Sequence, residues 1–108
     1  MPNRILVVDD EQNAREALTT ILREEGYEVV EAADGEAGFE QLTQFNPDAV
    51  LCDIKMPKVD GLQLLHKARS EGFDNLFIMV TAFGSIETAV EAMRAGAFDY
   101  ITKPVDVG

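Results

Sequence analysis

Asp9 and Asp10 close the apolar run "RILVVDD", and a third acid, Asp53, closes "DAVLCD". Thr81 closes "NLFIMVT", and Lys103 follows "FDYIT". Taken singly, each has an ordinary reading. A tandem acid after a strand caps the next helix, a strand-end Asp turns the chain, a strand-end Thr is a β-former, and "KP" is a loop. The pattern is harder to dismiss: acids, a hydroxyl and an amine fall in turn at the ends of four separate apolar runs. Val50, Leu51 and Cys52 read as a strand buried on both faces, and a carboxylate at the mouth of such a strand is costly without compensation. Three carboxylates brought together would repel, by about 4 kcal/mol for a pair 4 Å apart at an effective dielectric of 20. Two remedies are open. One acid holds a proton, as in a paired-acid site, or a hard divalent cation binds. Oxygen-only ligands and an incomplete cage suit Mg²⁺ completed by water and a phosphate.

The elements that must position these groups alternate along the chain. "RILVV" reads as a strand from Arg4 to Val8. In "NAREALTTILREEG" the apolar residues Ala14, Ala17, Leu18, Ile21 and Leu22 recur at helical spacing. Asn13 is expected to cap that helix with Glu16 completing a capping box, and Gly26 to stop it. "YEVVEAA" is a second strand. Asp34 caps a second helix running through Phe45, which "NPD" breaks. "AVLCDI" is a third strand, and the loop "KMPKVDG" leads to a third helix presenting Leu62, Leu65 and Ala68. "NLFIMVT" is a fourth strand. Ser85 caps a fourth helix with an expected inner face of Ile86, Ala89, Val90 and Met93, Gly96 ends it, and "FDYIT" is a fifth strand.

Strands alternating with helices of ten to fourteen residues imply a parallel sheet with helical crossovers. Strands this apolar fit a sheet covered on both faces. The fold expected is α/β: a flavodoxin-like doubly wound five-stranded parallel sheet in the order 2-1-3-4-5. Strands one and three are neighbours in that order. Ligands bind beyond the carboxyl ends of the strands where the order reverses, so Asp9, Asp10 and Asp53 meet in one pocket. Thr81 and Lys103 point to the same rim, and Lys103 adds a fixed cation.

At 108 residues the chain is long enough for one domain with a core and too short for two. The composition is 46% hydrophobic, which is globular. A formal net charge of −11 argues against direct nucleic-acid binding. No apolar run approaches a membrane span, "MPNR" is not a signal peptide, and a lone cysteine, Cys52, supports neither disulfide nor metal pair. A cytoplasmic setting is expected. Cys52 reads as a buried inert thiol, His66 as a surface residue, and Gly61, with Met56 and Pro57, as shaping the loop after Asp53.

Five strands and four helices leave part of one sheet face uncovered. A fifth helix should begin near Asp106. Five buried apolar side chains would contribute of order 10 kcal/mol gross, against a net domain stability of about 5 to 15 kcal/mol. The expectation is therefore one domain, residues 1–108, truncated before or at its fifth helix, or a second chain covering the exposed face, as in a dimer.

"VVDDE", "LCDIKMPKVDG", "VTAFGS" and "GAFDYITKP" together resemble the receiver domain of two-component response regulators, over residues 4–105. The resemblance implies that Asp53 accepts a phosphoryl group from a sensor histidine kinase. It implies Mg²⁺ held directly by Asp10, Asp53 and the backbone carbonyl of Lys55, with Asp9 acting through water. Thr81 would be the switch hydroxyl, Tyr100 the switch aromatic and Lys103 the phosphate-binding cation, followed by a cis bond to Pro104. Lys55 and Phe83 would tune the lifetime of the phosphoryl group, Phe83 by shielding it, and the small Ala82 would leave a path for the donor. The wording "AFGSIETAVEAMRAGAFDYITKP" is most similar to receivers of NtrC-type transcriptional activators, in which a AAA+ ATPase and a DNA-binding domain follow. None of those output domains lies in this chain.

These implied roles agree with the chemistry of the residues. A carboxylate attacking phosphorus makes an acyl phosphate, and the charge that builds on the equatorial oxygens can be met by a metal, Lys103 and the Thr81 hydroxyl. Asp9 and Asp10 are too negative to hold phosphate themselves. Phosphorylation would turn Thr81 toward the new oxygens and open space for Tyr100, a population shift needing about 5.5 kcal/mol to run from 1:99 to 99:1. As a switch rather than an enzyme, the domain would assist only its own phosphotransfer and dephosphorylation. A haloacid-dehalogenase-like phosphatase would want an acid where Lys55 stands. A flavodoxin-like carrier would want a Ser/Thr/Gly loop where "DDEQN" stands, and there is no GxGxxG or P-loop. A pseudo-receiver would not need the intact set Asp9, Asp10, Asp53, Thr81 and Lys103.

Overall fold

The computed structural model describes residues 3–56, 59–81 and 86–102. Its elements run β1 (Arg4–Val8), α1 (Gln12–Glu24), β2 (Glu28–Ala32), α2 (Gly35–Phe45), β3 (Ala49–Cys52), α3 (Gly61–Ser70), β4 (Leu76–Thr81), α4 (Ile86–Arg94) and β5 (Asp99–Thr102). All strand pairs are parallel, in the order β2-β1-β3-β4-β5. This is the doubly wound sheet that the alternation of periods implies.

Register fixes which side chains share a face. Val8, Cys52, Met79 and Tyr100 form one row across β1, β3, β4 and β5, and Leu6, Val50 and Phe77 form another on the same side. These rows build the larger core, with Leu42 of α2, Leu64, Leu65 and Ala68 of α3, and Ala92 of α4. On the opposite face Ile5, Val7 and Val29 pack with Leu18 and Leu22 of α1 and with half-buried Leu51. Among the described residues, α1 is the one helix on that side of the sheet. Toward β4 the face opens, with Ile78 half-buried and Leu76 exposed. The uneven cover is what four helices on five strands require.

Two local expectations are corrected. α1 begins at Gln12 after Glu11, which makes no side-chain cap, so Asn13 lies inside the helix and no capping box forms with Glu16. An acid from outside the helix organises this end instead: the Glu11 N–H donates to Asp9 Oδ1 at 2.9 Å. In α4 two residues of the expected inner face, Val90 and Met93, point outward at 42% and 47% exposure, while Ala92 is fully buried. Periodicity locates a stripe but not the side that meets the sheet, and small residues let this helix lie close.

Other signals hold. Asp34 caps α2 by accepting from the Ala37 N–H at 2.8 Å, and Asn46 ends that helix in the left-handed region. Gly26 and Gly96 follow α1 and α4 with φ of 96° and 104°, conformations that favour glycine. A reciprocal capping box between Asp60 and Gln63, not anticipated from sequence, starts α3. Ser85 and Pro57 lie outside the described residues. At the end of α3 the Arg69 guanidinium donates to the carbonyls of Phe73, Asn75 and Gly96 and stacks over the Phe77 ring, tying α3 to the chain entering β5. No helix among the described residues is long and apolar enough to cross a membrane.

Candidate functional site

The site lies just beyond the carboxyl ends of β1 and β3, the two central neighbours. β1 stops at Val8 and β3 at Cys52, so Asp9, Asp10 and Asp53 are the first residues released from the sheet. One carboxylate oxygen from each of the three lies within 4.8 Å of the others. Asp9 and Asp53 are buried, at 6% and 8% exposure, while Asp10 is exposed. Two buried acids and one open to water make a half-enclosed cluster of hard oxygen donors. That is the donor chemistry a small divalent cation accepts, with room left for water and a phosphate oxygen.

Backbone bonds pin the two buried acids. The Asp53 N–H donates to the Val8 carbonyl at 2.9 Å, carrying the β1–β3 ladder one step past the strand. The Lys55 N–H reaches back to Asp53 Oδ1 at 3.2 Å. The Asp9 N–H donates to the Ala32 carbonyl at 3.1 Å, and its carboxylate accepts from Glu11. The loop after β3 returns at Gly61, whose N–H donates to the Ile54 carbonyl at 2.9 Å, and a Cβ at Gly61 would overlap the Asp53 carbonyl. Gly35, the first residue of α2, abuts Val59 of the same loop. Gly61 is thus more than a turn residue, which the sequence signalled only as a glycine in a loop.

The expected site residues separate clearly. Asp9, Asp10 and Asp53 come together, and Lys55 stands beside them with its side chain exposed. Thr81 ends β4, opposite Thr102 of β5. Tyr100 is half-buried against the larger core, in the row of Met79, and its buried hydroxyl has no hydrogen-bond partner among the described residues. Ala82, Phe83, Lys103 and Pro104, and the side chain of Thr81, lie outside the described residues. His66 is exposed on α3, lining a groove with Glu87, Val90, Glu91 and Arg94 of α4, away from the acids. Cys52 is fully buried. Burial first, and then the charges of Asp53, Asp9 and Asp60, push its thiol far above the ordinary range. Sequence reasoning missed Arg15, whose guanidinium reaches the Asp9 carbonyl. An Arg in the first turn of a helix that follows two acids was the available signal.

The family described as response regulator receiver domain matches residues 5–108. The regulatory protein AtoC of Escherichia coli is 45% identical over 105 residues, 97% of this chain and 23% of that protein. The response regulator MprA of Mycolicibacterium vanbaalenii is 42% identical over 96% of this chain and 45% of its own length. The chain therefore spans less than half the length of these curated relatives. Among solved structures, a CheY-like receiver domain protein from Methanospirillum hungatei superposes with a TM-score of 0.92 at 39% identity, covering 98% of this chain and 85% of that one. NtrX from Brucella abortus superposes with a TM-score of 0.90 at 37% identity, over 98% of this chain and 24% of NtrX.

Proposed function

Because the chain belongs to the response regulator receiver domain family, we propose that Asp53 is its phosphoacceptor and that the domain is a switch set by a sensor histidine kinase. The observation that carries this is the meeting of Asp9, Asp10 and Asp53 beyond the central strands. Asp53 is buried yet anchored through its own N–H and by the Lys55 N–H on its carboxylate. Once ionised, a carboxylate held in this way could attack a phosphorus atom. A carboxylate oxygen of Asp53 forms the new bond to phosphorus, the bond from phosphorus to the donor histidine nitrogen breaks, and that nitrogen keeps the electron pair. The product is an acyl phosphate.

The oxygen donors of the acid cluster suit magnesium, which the carboxylates of Asp10 and Asp53 and the carbonyl of Lys55 would hold directly and Asp9 through water. When bound it would neutralise charge building on the phosphoryl oxygens. Lys103 is assigned the second cationic contact and Thr81 the hydroxyl that reads the new oxygens. Tyr100 follows by repacking in the row it shares with Met79. Lys55, Ala82 and Phe83 are assigned the task of setting how fast water removes the group. The domain acts on itself and turns over no separate substrate. Its resemblance to AtoC and NtrX, of which it spans about a quarter, supports a cytoplasmic NtrC-type regulator in which the receiver governs AAA+ and DNA-binding domains.

The test is uptake of phosphoryl from acetyl phosphate, or beryllofluoride binding, with Mg²⁺. Wild type responds and Asp53→Asn does not. A folded wild type that takes up neither would make the domain a pseudo-receiver and overturn the assignment.

A further inference from the structure

We propose that Arg15 is a positioning residue for the acidic pocket, setting the peptide from which Asp10 departs. The inference rests on the magnesium reading of that pocket and adds to it a residue outside the ligand set.

Arg15 sits in the first turn of α1, and its own N–H closes onto the Glu11 carbonyl. Its side chain turns back under the pocket and is 15% exposed. Nη1 donates to the Asp9 carbonyl at 2.9 Å, and Nε donates to Glu31 Oε1 at 3.0 Å. Glu31 stands on β2 in register with Val7 of β1, so the guanidinium is gripped by the neighbouring strand while it holds the chain leaving β1. Asp9 is then held through its N–H on Ala32, its carboxylate on the Glu11 N–H and its carbonyl on Arg15.

That carbonyl belongs to the peptide plane joining Asp9 to Asp10. Among the described residues no hydrogen bond or ion pair holds the Asp10 side chain itself, and it is exposed. Its place within 4.8 Å of the other two acids is therefore inherited from the plane that Arg15 fixes. A planar fork that can bond two acceptors at once suits this task, and an ammonium does not.

Charge and position make opposite predictions, which exposes the role. Glu31 already balances the Arg15 charge. Arg15→Met removes a cation near three acids and leaves Glu31 unpaired, so Coulomb attraction alone would tighten magnesium binding. Loss of the held peptide plane would loosen it. Arg15→Lys keeps the charge, so charge alone predicts no change, whereas loss of the fork predicts loosening.

The experiment is a magnesium titration of the purified chain, followed by the amide resonances of Asp10 and Glu11, well below the melting temperature of each variant. Both variants should weaken binding by about tenfold, the lower end of what outer-shell partners of metal sites contribute. A merely structural Arg15 would lower melting temperature and leave this dissociation constant alone. If Arg15→Met does not fold, Arg15→Lys decides alone. Either variant binding as tightly as wild type, or more tightly, overturns the proposal and leaves the function standing. A wild type that binds no magnesium overturns both.

Discussion

Gly61 and Asp53 touch backbone to backbone: the first residue of α3 lies against the Asp53 carbonyl, and a Cβ there would overlap that oxygen. The next nearest atoms are also main chain, the carbonyl carbon of Asp53 and Cα of Ile54. Nothing flexible can yield, so Gly61→Ala must move the Asp53–Ile54 peptide and the carboxylate it carries. We expect a loss of about 1 to 3 kcal/mol in stability, as for other overpacked sites. Phosphoryl uptake should fall by up to about a hundredfold, the scale of an ångström-sized misplacement. Gly38→Ala is the control, since there the crowding atoms are side-chain methyls of Leu64 and Val8. It should keep its uptake rate. Stopped-flow phosphorylation and urea denaturation of both variants check this, and equal uptake by Gly61→Ala and wild type would refute it.

Among the described residues the buried hydroxyl of Tyr100 has no hydrogen-bond partner. An unsatisfied buried donor costs about 1 to 3 kcal/mol, so Tyr100→Phe should stabilise the unphosphorylated domain by about 1 kcal/mol in urea denaturation. Aromatic bulk and packing against the core remain unchanged by the substitution. A destabilised Tyr100→Phe would mean that the hydroxyl finds a bond in solution. If the inward position of the ring belongs to the switched state, the variant should also raise the affinity for beryllofluoride.

Cys52 sets a pH dependence. Its folded thiol is raised far above the ordinary value of 9.0 by burial and then by Asp53, Asp9 and Asp60. The unfolded thiol ionises at its ordinary value while the folded one keeps its proton, so the native state binds more protons above pH 9. Stability from this group is fully present below pH 9 and declines as pH rises beyond it, by up to about 1.4 kcal/mol per pH unit. Denaturation at pH 8, 9 and 10 should show the decline in wild type and a shallower one in Cys52→Ala. Native protein at pH 8.5 should also resist a thiol reagent that labels the urea-unfolded chain at once. Rapid native labelling would contradict the burial.

Much of this was legible in the residues. β1 falls on Arg4–Val8, because the four apolar residues Ile5 to Val8 followed by two acids leave little choice. The meeting of Asp9, Asp10 and Asp53 followed from strand order alone. What escaped were relationships between distant segments. The start of α1 is organised by Asp9 from outside the helix, so a search for a local cap settled on Asn13. The outward turn of Val90 and Met93 depends on how closely Ala92 lets α4 approach the sheet. The tasks of Gly61 and Arg15 exist only once a loop and a second strand have been brought beside them.

The pairing of β1 with β3 has one more consequence. The acids that form the pocket arrive on strands separated in sequence by α1, β2 and α2, and ordering such remote segments is the slow part of folding. A nascent or damaged copy owns the same three aspartates yet presents no cluster of oxygen donors for a cation. On the function proposed for Asp53, only finished molecules would take up a phosphoryl group.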